Sequence, residues 1–383
     1  MNLKPFSVPF SQPEFDELRD RLGRIRWPDN APGSPWEYGV DLRFIQQTCD
    51  YWRNEFDWKL QVERLSAFHH YRYESDGIVI HFIHERGQGP SPLPLILTHG
   101  WPGSFVEMLR IIPLLSNPAG HGGDSSDAFD VVVPSLPGFG FSDRPVLAGM
   151  NMFRVAELWT ELMAALGYDR FAAHGGDIGA GVSTILGLRH PEHIIGLHLN
   201  FIPGSYRPYL AEPSELSRAE DEFIARAALW SEANGAYAHI QRTRPQTTAY
   251  GLNDSPAGLA AWILEKFHEW SDSSGDLYRH LSRDELLTNV TLYWMTQTIS
   301  SSCRMYFENR KAPLHFGPGD FVRPPCAVAL FPKEVFMPPR EWVERGYNIQ
   351  HWTQMPRGGH FAAMEEPELL AQDIRRFFRR FRN

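Results

Sequence analysis

The sequence is poor in cysteine, in positive charge and in long apolar runs, and each shortage narrows the function classes. Its three cysteines, Cys49, Cys303 and Cys326, are too few and too scattered for a disulfide framework or a zinc site, which fits a reducing compartment. A formal net charge of -9 leaves no basic footprint, so nucleic acid is excluded as the expected partner. No stretch reaches the roughly 18 apolar residues of a membrane span, and the segment from Met1 to Phe10 lacks the basic start and apolar run of a signal peptide. The arginines near the C-terminus, Arg375, Arg376, Arg379, Arg380 and Arg382, read as the favourable cationic last turns of a helix rather than as a membrane patch. The expectation is a cytoplasmic globular protein, and 383 residues of which 43% are apolar suffice to bury a full core.

The stretch that organises the rest is RFAAHGGDIGAGV, from Arg170 to Val182, where a short apolar strand runs through Gly-Gly-Asp-Ile-Gly into a helix. Small residues on both sides of Asp177 let strand and helix approach closely, as a nucleophile elbow requires. A carboxylate at that turn can attack an sp³ carbon and leave an ester whose carbonyl water can cleave, whereas serine would leave an inert ether. Aspartate there points to alkyl transfer followed by hydrolysis. The bland alternative, an aspartate at an ordinary helix N-terminus, stays open on this stretch alone.

Before about residue 65 the pattern is helical, with Ser11 and Glu14 as a capping box and Phe15, Leu18, Leu22 and Ile25 at helical spacing. Further helices are expected over 41–51 and 59–65. Eight strands are then predicted: His70 to Tyr73, Ile78 to His84, Leu93 to Thr98, Asp130 to Pro134, Arg170 to Ala173, Ile194 to Asn200, Ala327 to Phe331 and Gln350 to Gln354. The first two form a hairpin, and the rest alternate with helices as in a mostly parallel sheet. Between Pro203 and Pro313 helices take over, with capping boxes at Ser217/Glu220 and Ser282/Glu285, which predicts a lid over the strand ends. The domain reading is therefore an N-terminal extension (1–65), a first core segment (66–203), a lid (204–313) and a second core segment (314–383).

If the elbow is real, other groups must converge on it. The His99-Gly100-Trp101-Pro102-Gly103-Ser104 loop follows a strand, so the backbone N–H of Trp101 and that of Ile178 can form an oxyanion hole, with His99 structural. His360, in a glycine-rich loop after the last strand, is the candidate base, because the order nucleophile, acid, histidine belongs to this architecture. His351 lies at the start of that strand, at the wrong end of the sheet. Glu334 is the candidate acid beyond the preceding strand, with Asp320 as the fallback.

These residues resemble the epoxide hydrolases of the α/β-hydrolase fold, of the microsomal and fungal type with a helical N-terminal extension. The resemblance runs from Trp27-Pro28 through HGWPGS, VVPSLPGFGFSD, GGDIG, LNDSPAGLAAWILEKF and LLTNVTLYW to RGGHFAAMEEPELLAQDIR, nearly the whole chain. It implies Asp177 as nucleophile, His360 as base and Glu334 as its acid. It also implies two lid tyrosines at Tyr237 and Tyr306, with Tyr250 competing for the first place. A phenol can hydrogen-bond the ring oxygen and donate a proton while staying neutral at pH 7. The expected product is a vicinal diol, made without metal or organic cofactor from a small-molecule epoxide. Mammalian microsomal members carry an N-terminal membrane anchor; this chain begins at the extension, so membrane attachment is not expected. Oligomeric state is not legible, a homodimer being one state the reading allows. The competing readings are a haloalkane or haloacid dehalogenase, which commonly needs a Trp where this chain has Ile178, and a non-catalytic ligand-binding protein of the same fold.

Overall fold

The computed structural model describes residues 3–212 and 216–382. It opens with a short strand, β1 (Leu3–Pro5), and three helices, α1 (Gln12–Leu22), α2 (Leu42–Asn54) and α3 (Trp58–Leu65). Each helix starts where a side chain can accept an orphan amide: Ser11, Asp41 and Asp57 take the N–H groups of Glu14, Phe44 and Leu60. Phe15, Leu18 and Leu22 turn inward as their spacing requires.

A nine-stranded sheet follows in the order β1-β2-β3-β5-β4-β6-β7-β8-β9. Its first half is β2 (His70–Ser75), β3 (Ile78–Glu85), β4 (Leu93–Thr98), α4 (Ile111–Ser116), β5 (Phe129–Pro134), α5 (Met152–Ala165), β6 (Phe171–Gly175), α6 (Asp177–Arg189) and β7 (Ile194–Leu199). Six helices then intervene: α7 (Arg218–Asn234), α8 (Ala236–Thr243), α9 (Pro245–Asp254), α10 (Pro256–Trp270), α11 (Arg283–Thr296) and α12 (Ile299–Lys311). The chain returns to the sheet with β8 (Val322–Leu330), α13 (Arg340–Glu344), β9 (Tyr347–Gln354), α14 (Ala362–Glu365) and α15 (Pro367–Phe378). Pairing is antiparallel from β1 to β5 through β2 and β3, and parallel from β5 through β4 to β9. This is the α/β-hydrolase fold that the sequence predicts, with one correction to the strand count.

All eight expected strands are present, and β1 makes a ninth. Three residues carrying Pro5 give too short a pattern to read as a strand, and β1 exists only because β2 offers it an edge. β8 starts five residues earlier than expected, at Val322 rather than Ala327. Pro324 and Pro325 cannot donate to a ladder, and the register slips between Val322 and Cys326, which hides the strand's first half from a periodicity reading. The two capping boxes at Ser217/Glu220 and Ser282/Glu285 form reciprocally.

The N-terminal helices are tied to the inserted ones. Trp52 Nε1 donates to Thr291 Oγ1 at 2.9 Å, Tyr51 OH to Asp284 at 2.8 Å, and Arg21 reaches the Asp254 carboxylate at 2.7 Å. At the other end, Arg379 grips the buried Asp127 through Nε and Nη2, one edge of its guanidinium, and Arg382 donates to the carbonyls of Asp127 and Ala128. The C-terminal arginines thus fasten α15 to the turn before β5, a role beyond the helix-dipole effect expected of them.

Helix α6 approaches the sheet so closely that no side chain fits at its first glycine, Gly179. A Cβ on Gly179 would lie 1.9 Å from the Thr98 carbonyl oxygen, and one on Gly175 would lie 2.2 Å from that of Gly179. Gly179→Ala gains about 1 kcal/mol in helix propensity. It must also push backbone apart, and overpacking of that kind costs on the order of 3 kcal/mol, so the clash wins. Denaturant unfolding is expected to show a net loss on the order of 2 kcal/mol with the slope unchanged; an equally or more stable variant would contradict the close approach.

Candidate active site

Five of the loops that leave the sheet at its parallel strands' carboxyl ends meet at one place. Trp101 follows β4, Asp177 follows β6, Asn200 follows β7, Glu334 follows β8 and His360 follows β9. Asp177 is the first residue of α6 and takes φ +47, the left-handed region that a non-glycine residue occupies at a cost. That turn aims its side chain out of the sheet end rather than along the helix. Gly100 makes room for it: a Cβ there would stand 2.2 Å from Asp177 Oδ1.

The two carboxylate oxygens of Asp177 have different surroundings. Oδ1 accepts the Trp101 backbone N–H at 2.8 Å. Oδ2 lies 3.6 Å from His360 Nε2. Ile178, expected as the second oxyanion donor, stands in the first turn of α6, where amides have no intrahelical acceptor. No hydrogen bond joins its N–H to Asp177 among the described residues, so Trp101 alone holds Oδ1 here.

His360 Nδ1 is 2.7 Å from Glu334 Oε1. The two loops are laced together, with Lys333 N donating to the Gly358 carbonyl at 3.1 Å. Helix α10 completes the mounting: the Trp270 carbonyl accepts from His360 N at 2.8 Å, and Asp272 accepts from Gly358 N at 3.1 Å. Gly359 is required at this crossing, since a Cβ would come within 2.5 Å of the Trp270 carbonyl oxygen. Burial by itself would lower the His360 imidazole, but the Glu334 and Asp177 carboxylates outweigh it and hold it well above the ordinary histidine value. The resting imidazole therefore favours its protonated form. It can serve as a base once Asp177 loses its charge.

Tyr237 stacks on the Trp101 ring with centroids 5.4 Å apart, and Tyr306 meets the same ring edge-on at 5.8 Å. Their own centroids are 6.1 Å apart. Burial first, and then the charge of Asp177, raise the Tyr237 phenol; for Tyr306 burial, Tyr237 and Asp177 act in that order, so both stay neutral. Tyr250 is 73% exposed on α9, which removes it as the competitor. The fallback acid Asp320 sits away from this cluster, accepting from Gly317 N and facing Arg189. His351 is held by Asp373 at 2.8 Å in the middle of β9 rather than at its start. His99 is structural as expected: Leu136 N donates to its Nε2 at 3.2 Å, and burial lowers it to about 4.

Three contributors went unread in the sequence. Trp270 packs edge-on against His360 at 5.2 Å. Glu365 accepts the amides of Asp272 and Phe361, and burial raises it to about 7. Glu107 lines the cavity beside Asp177 and His360. Only Glu107 had a legible signal, since it is a carboxylate three residues beyond the HGWPGS loop. Among the described residues no group of His, Cys, Asp and Glu could hold a metal ion, and no helix is long and apolar enough to cross a membrane.

Comparison with known proteins places the whole chain among epoxide hydrolases. The family described as "Epoxide hydrolase N terminus" matches residues 3–108, and "alpha/beta hydrolase fold" matches residues 94–252. The chain is 45% identical over 381 residues to a putative epoxide hydrolase of Stigmatella aurantiaca, covering 99% of this chain and 86% of the relative. It is 39% identical over 405 residues to epoxide hydrolase 1 of Oryctolagus cuniculus, covering 98% and 88%. Among solved structures, that of Aspergillus niger epoxide hydrolase superposes with TM-score 0.86 at 30% identity, covering 100% of this chain and 97% of that one.

Removing the Asp177 charge should lower the His360 pKa, because one of the two carboxylates that raise it is gone. Imidazole NMR titration of Asp177→Asn against the native protein reads this directly. By linkage, the raised His360 contributes stability that is fully present below the unfolded value near 6.5 and is lost as pH rises through the folded value. An unchanged His360 titration in Asp177→Asn would mean that the 3.6 Å pairing does not set its charge.

Proposed function

Since the chain belongs to the epoxide hydrolases of the microsomal and fungal type, we propose that Asp177 is the residue that is alkylated and that His360 with Glu334 regenerates it. The observation that carries this assignment is the division of labour on one carboxylate: Oδ1 is held by a backbone amide and Oδ2 faces an imidazole backed by a second carboxylate.

In the first step Oδ2 attacks a ring carbon of a small-molecule epoxide and the ring carbon–oxygen bond breaks. Tyr237 and Tyr306 hydrogen-bond the leaving oxygen, and one of them gives it a proton, which leaves a hydroxyalkyl ester and a tyrosinate. Esterification removes the charge of Asp177, so the imidazole no longer holds its proton; that proton restores the tyrosinate to the phenol, and the neutral imidazole is competent as a base. In the second step water adds to the ester carbonyl carbon as His360 Nε2 takes its proton. The oxyanion forms on Oδ1, where the Trp101 amide already points; such a donor is typically worth ~2.7–4 kcal/mol in the transition state. The free first-turn amide of Ile178 is available to join it as charge develops. The ester bond then breaks as His360 gives the water-derived proton to the departing oxygen, and the second water proton, left on the Asp177 carboxyl, returns to His360. The product is a vicinal diol and the protein ends unchanged. Every step uses side chains and amides of this chain, so the scheme calls on no cofactor.

A dehalogenase shares the aspartate, histidine and acid but needs donors for a halide; Ile178 offers none in its side chain, and two phenols suit an alkoxide better.

A single turnover in heavy-oxygen water tests the scheme. The label is expected in the peptide that contains Asp177, because the attacking water ends as a carboxylate oxygen while an original carboxylate oxygen leaves in the diol. Label in the diol after one turnover, with that peptide unlabelled, would mean direct attack of water on the epoxide.

A further inference from the structure

Behind the nucleophile lies a small cavity with about 10 Å³ open to the centre of a water-sized sphere, lined by Asp177, His360, Glu107, His174, His99 and Asn200. That is room for about one water molecule. Its wall is unusually polar for its size. His174 is fully buried there, with Nδ1 3.0 Å from His198 Nδ1 and with no partner for Nε2 among the described residues. Burial first and then His198 lower His174 well below the ordinary value, so it is a neutral imidazole with one nitrogen left to pair.

Glu107 stands in the one-turn helix Phe105–Met108 that follows the oxyanion loop. Its carboxylate is folded back over Gly103, whose missing side chain is what admits it: a Cβ at Gly103 would fall 1.2 Å from Glu107 Oε1. Burial pushes this carboxyl up to about 8, the charge of Asp177 adds to that, and His360 and the Ser104 amide oppose it. Tyr293, on α11, is the other titratable group that faces it. The proposed catalytic steps leave Glu107 without a task, although among the described residues it is the carboxyl that shares a water-sized cavity with both the nucleophile and its base.

We propose that Glu107 is a catalytic residue of ester hydrolysis, binding the attacking water in this cavity and aiming its oxygen at the carbonyl carbon of Asp177. The inference rests on the assignment of Asp177 and His360 made above. The water donates one hydrogen to a Glu107 oxygen and the other to His360 Nε2, so its lone pair is left facing the ester. Only the second of these protons is transferred; Glu107 holds and orients, and no further reactant is consumed. The arrangement is also timed. While Asp177 is charged, it favours the protonated form of Glu107, so a third free carboxylate does not compete for His360. When Asp177 becomes an ester that influence disappears, and Glu107 becomes a better acceptor at the moment when water must be held.

Rapid-quench kinetics of the native enzyme, Glu107→Gln and Glu107→Leu, with an epoxide that the native enzyme turns over, separate formation of the ester from its decay. Glu107→Leu is expected to form ester within about threefold of the native rate and to lose it at least about tenfold more slowly, so that ester accumulates. Glu107→Gln, which keeps an oxygen acceptor of the same size, is expected to recover most of the decay rate. Ester decay unchanged in Glu107→Leu would overturn the proposal, and so would formation and decay falling together in both variants, the signature of a merely structural role. Failure of the underlying assignment looks different: no ester would then be seen even with the native enzyme.

Discussion

The structure depends on one close contact, the approach of α6 to the ends of β4 and β6 with no side chain between them. Thr98 carbonyl, Gly175 and Gly179 touch backbone to backbone, and the turn that joins strand to helix is thereby forced through the left-handed region at Asp177. Strain of this kind persists only where the surroundings over-determine it, and here two layers of packed backbone do so. The result is a carboxylate raised from the sheet end, with Gly100 leaving it just enough space to accept the Trp101 amide. Everything else at the site is arranged around where that side chain stands.

The second dependency is electrostatic. Asp177, Glu334, Glu107 and Glu365 bring four carboxyl groups around one imidazole, an arrangement that could not stand with all of them ionised. The cluster resolves this by sorting. Burial raises Glu107 and Glu365 towards neutrality, while His360 balances Asp177 and Glu334 by holding its proton. In the proposed scheme, alkylating Asp177 removes one charge from that balance, and the imidazole then gives up its proton and acts as a base. In that scheme the first half-reaction prepares the second, and the loop that carries His360 is held in place by backbone hydrogen bonds from His360 to Trp270 and from Lys333 to Gly358.

How much of this was legible in the sequence follows from the range of each interaction. Asp177 could be read because its turn is local, and three glycines within five residues announce a backbone approach that only they permit. His360 and Glu334 followed from chain order, since each lies just after a strand of a sheet whose topology was readable from alternating strands and helices. The edge strand Leu3–Pro5 and the first half of β8 could not be read, because a strand that exists by borrowing an edge, or that runs through two prolines, has no periodicity of its own. The oxyanion donor Ile178 was expected from the fold and is not engaged with Asp177 in this state. The role of Trp270 and the sorting of the carboxyl charges were beyond reach. They arise from segments distant in the chain meeting in a dry interior, where proximity rather than pattern decides protonation.

The central claim is that catalysis passes through a covalent bond to Asp177. Its most direct measurement is the intact-protein mass of the native enzyme quenched within its first turnover, with Asp177→Asn as the control. The account predicts a transient species heavier by one epoxide in the native protein and none in the variant. Diol formation at the native rate with no such species at any quench time, or the same adduct in Asp177→Asn, would contradict it.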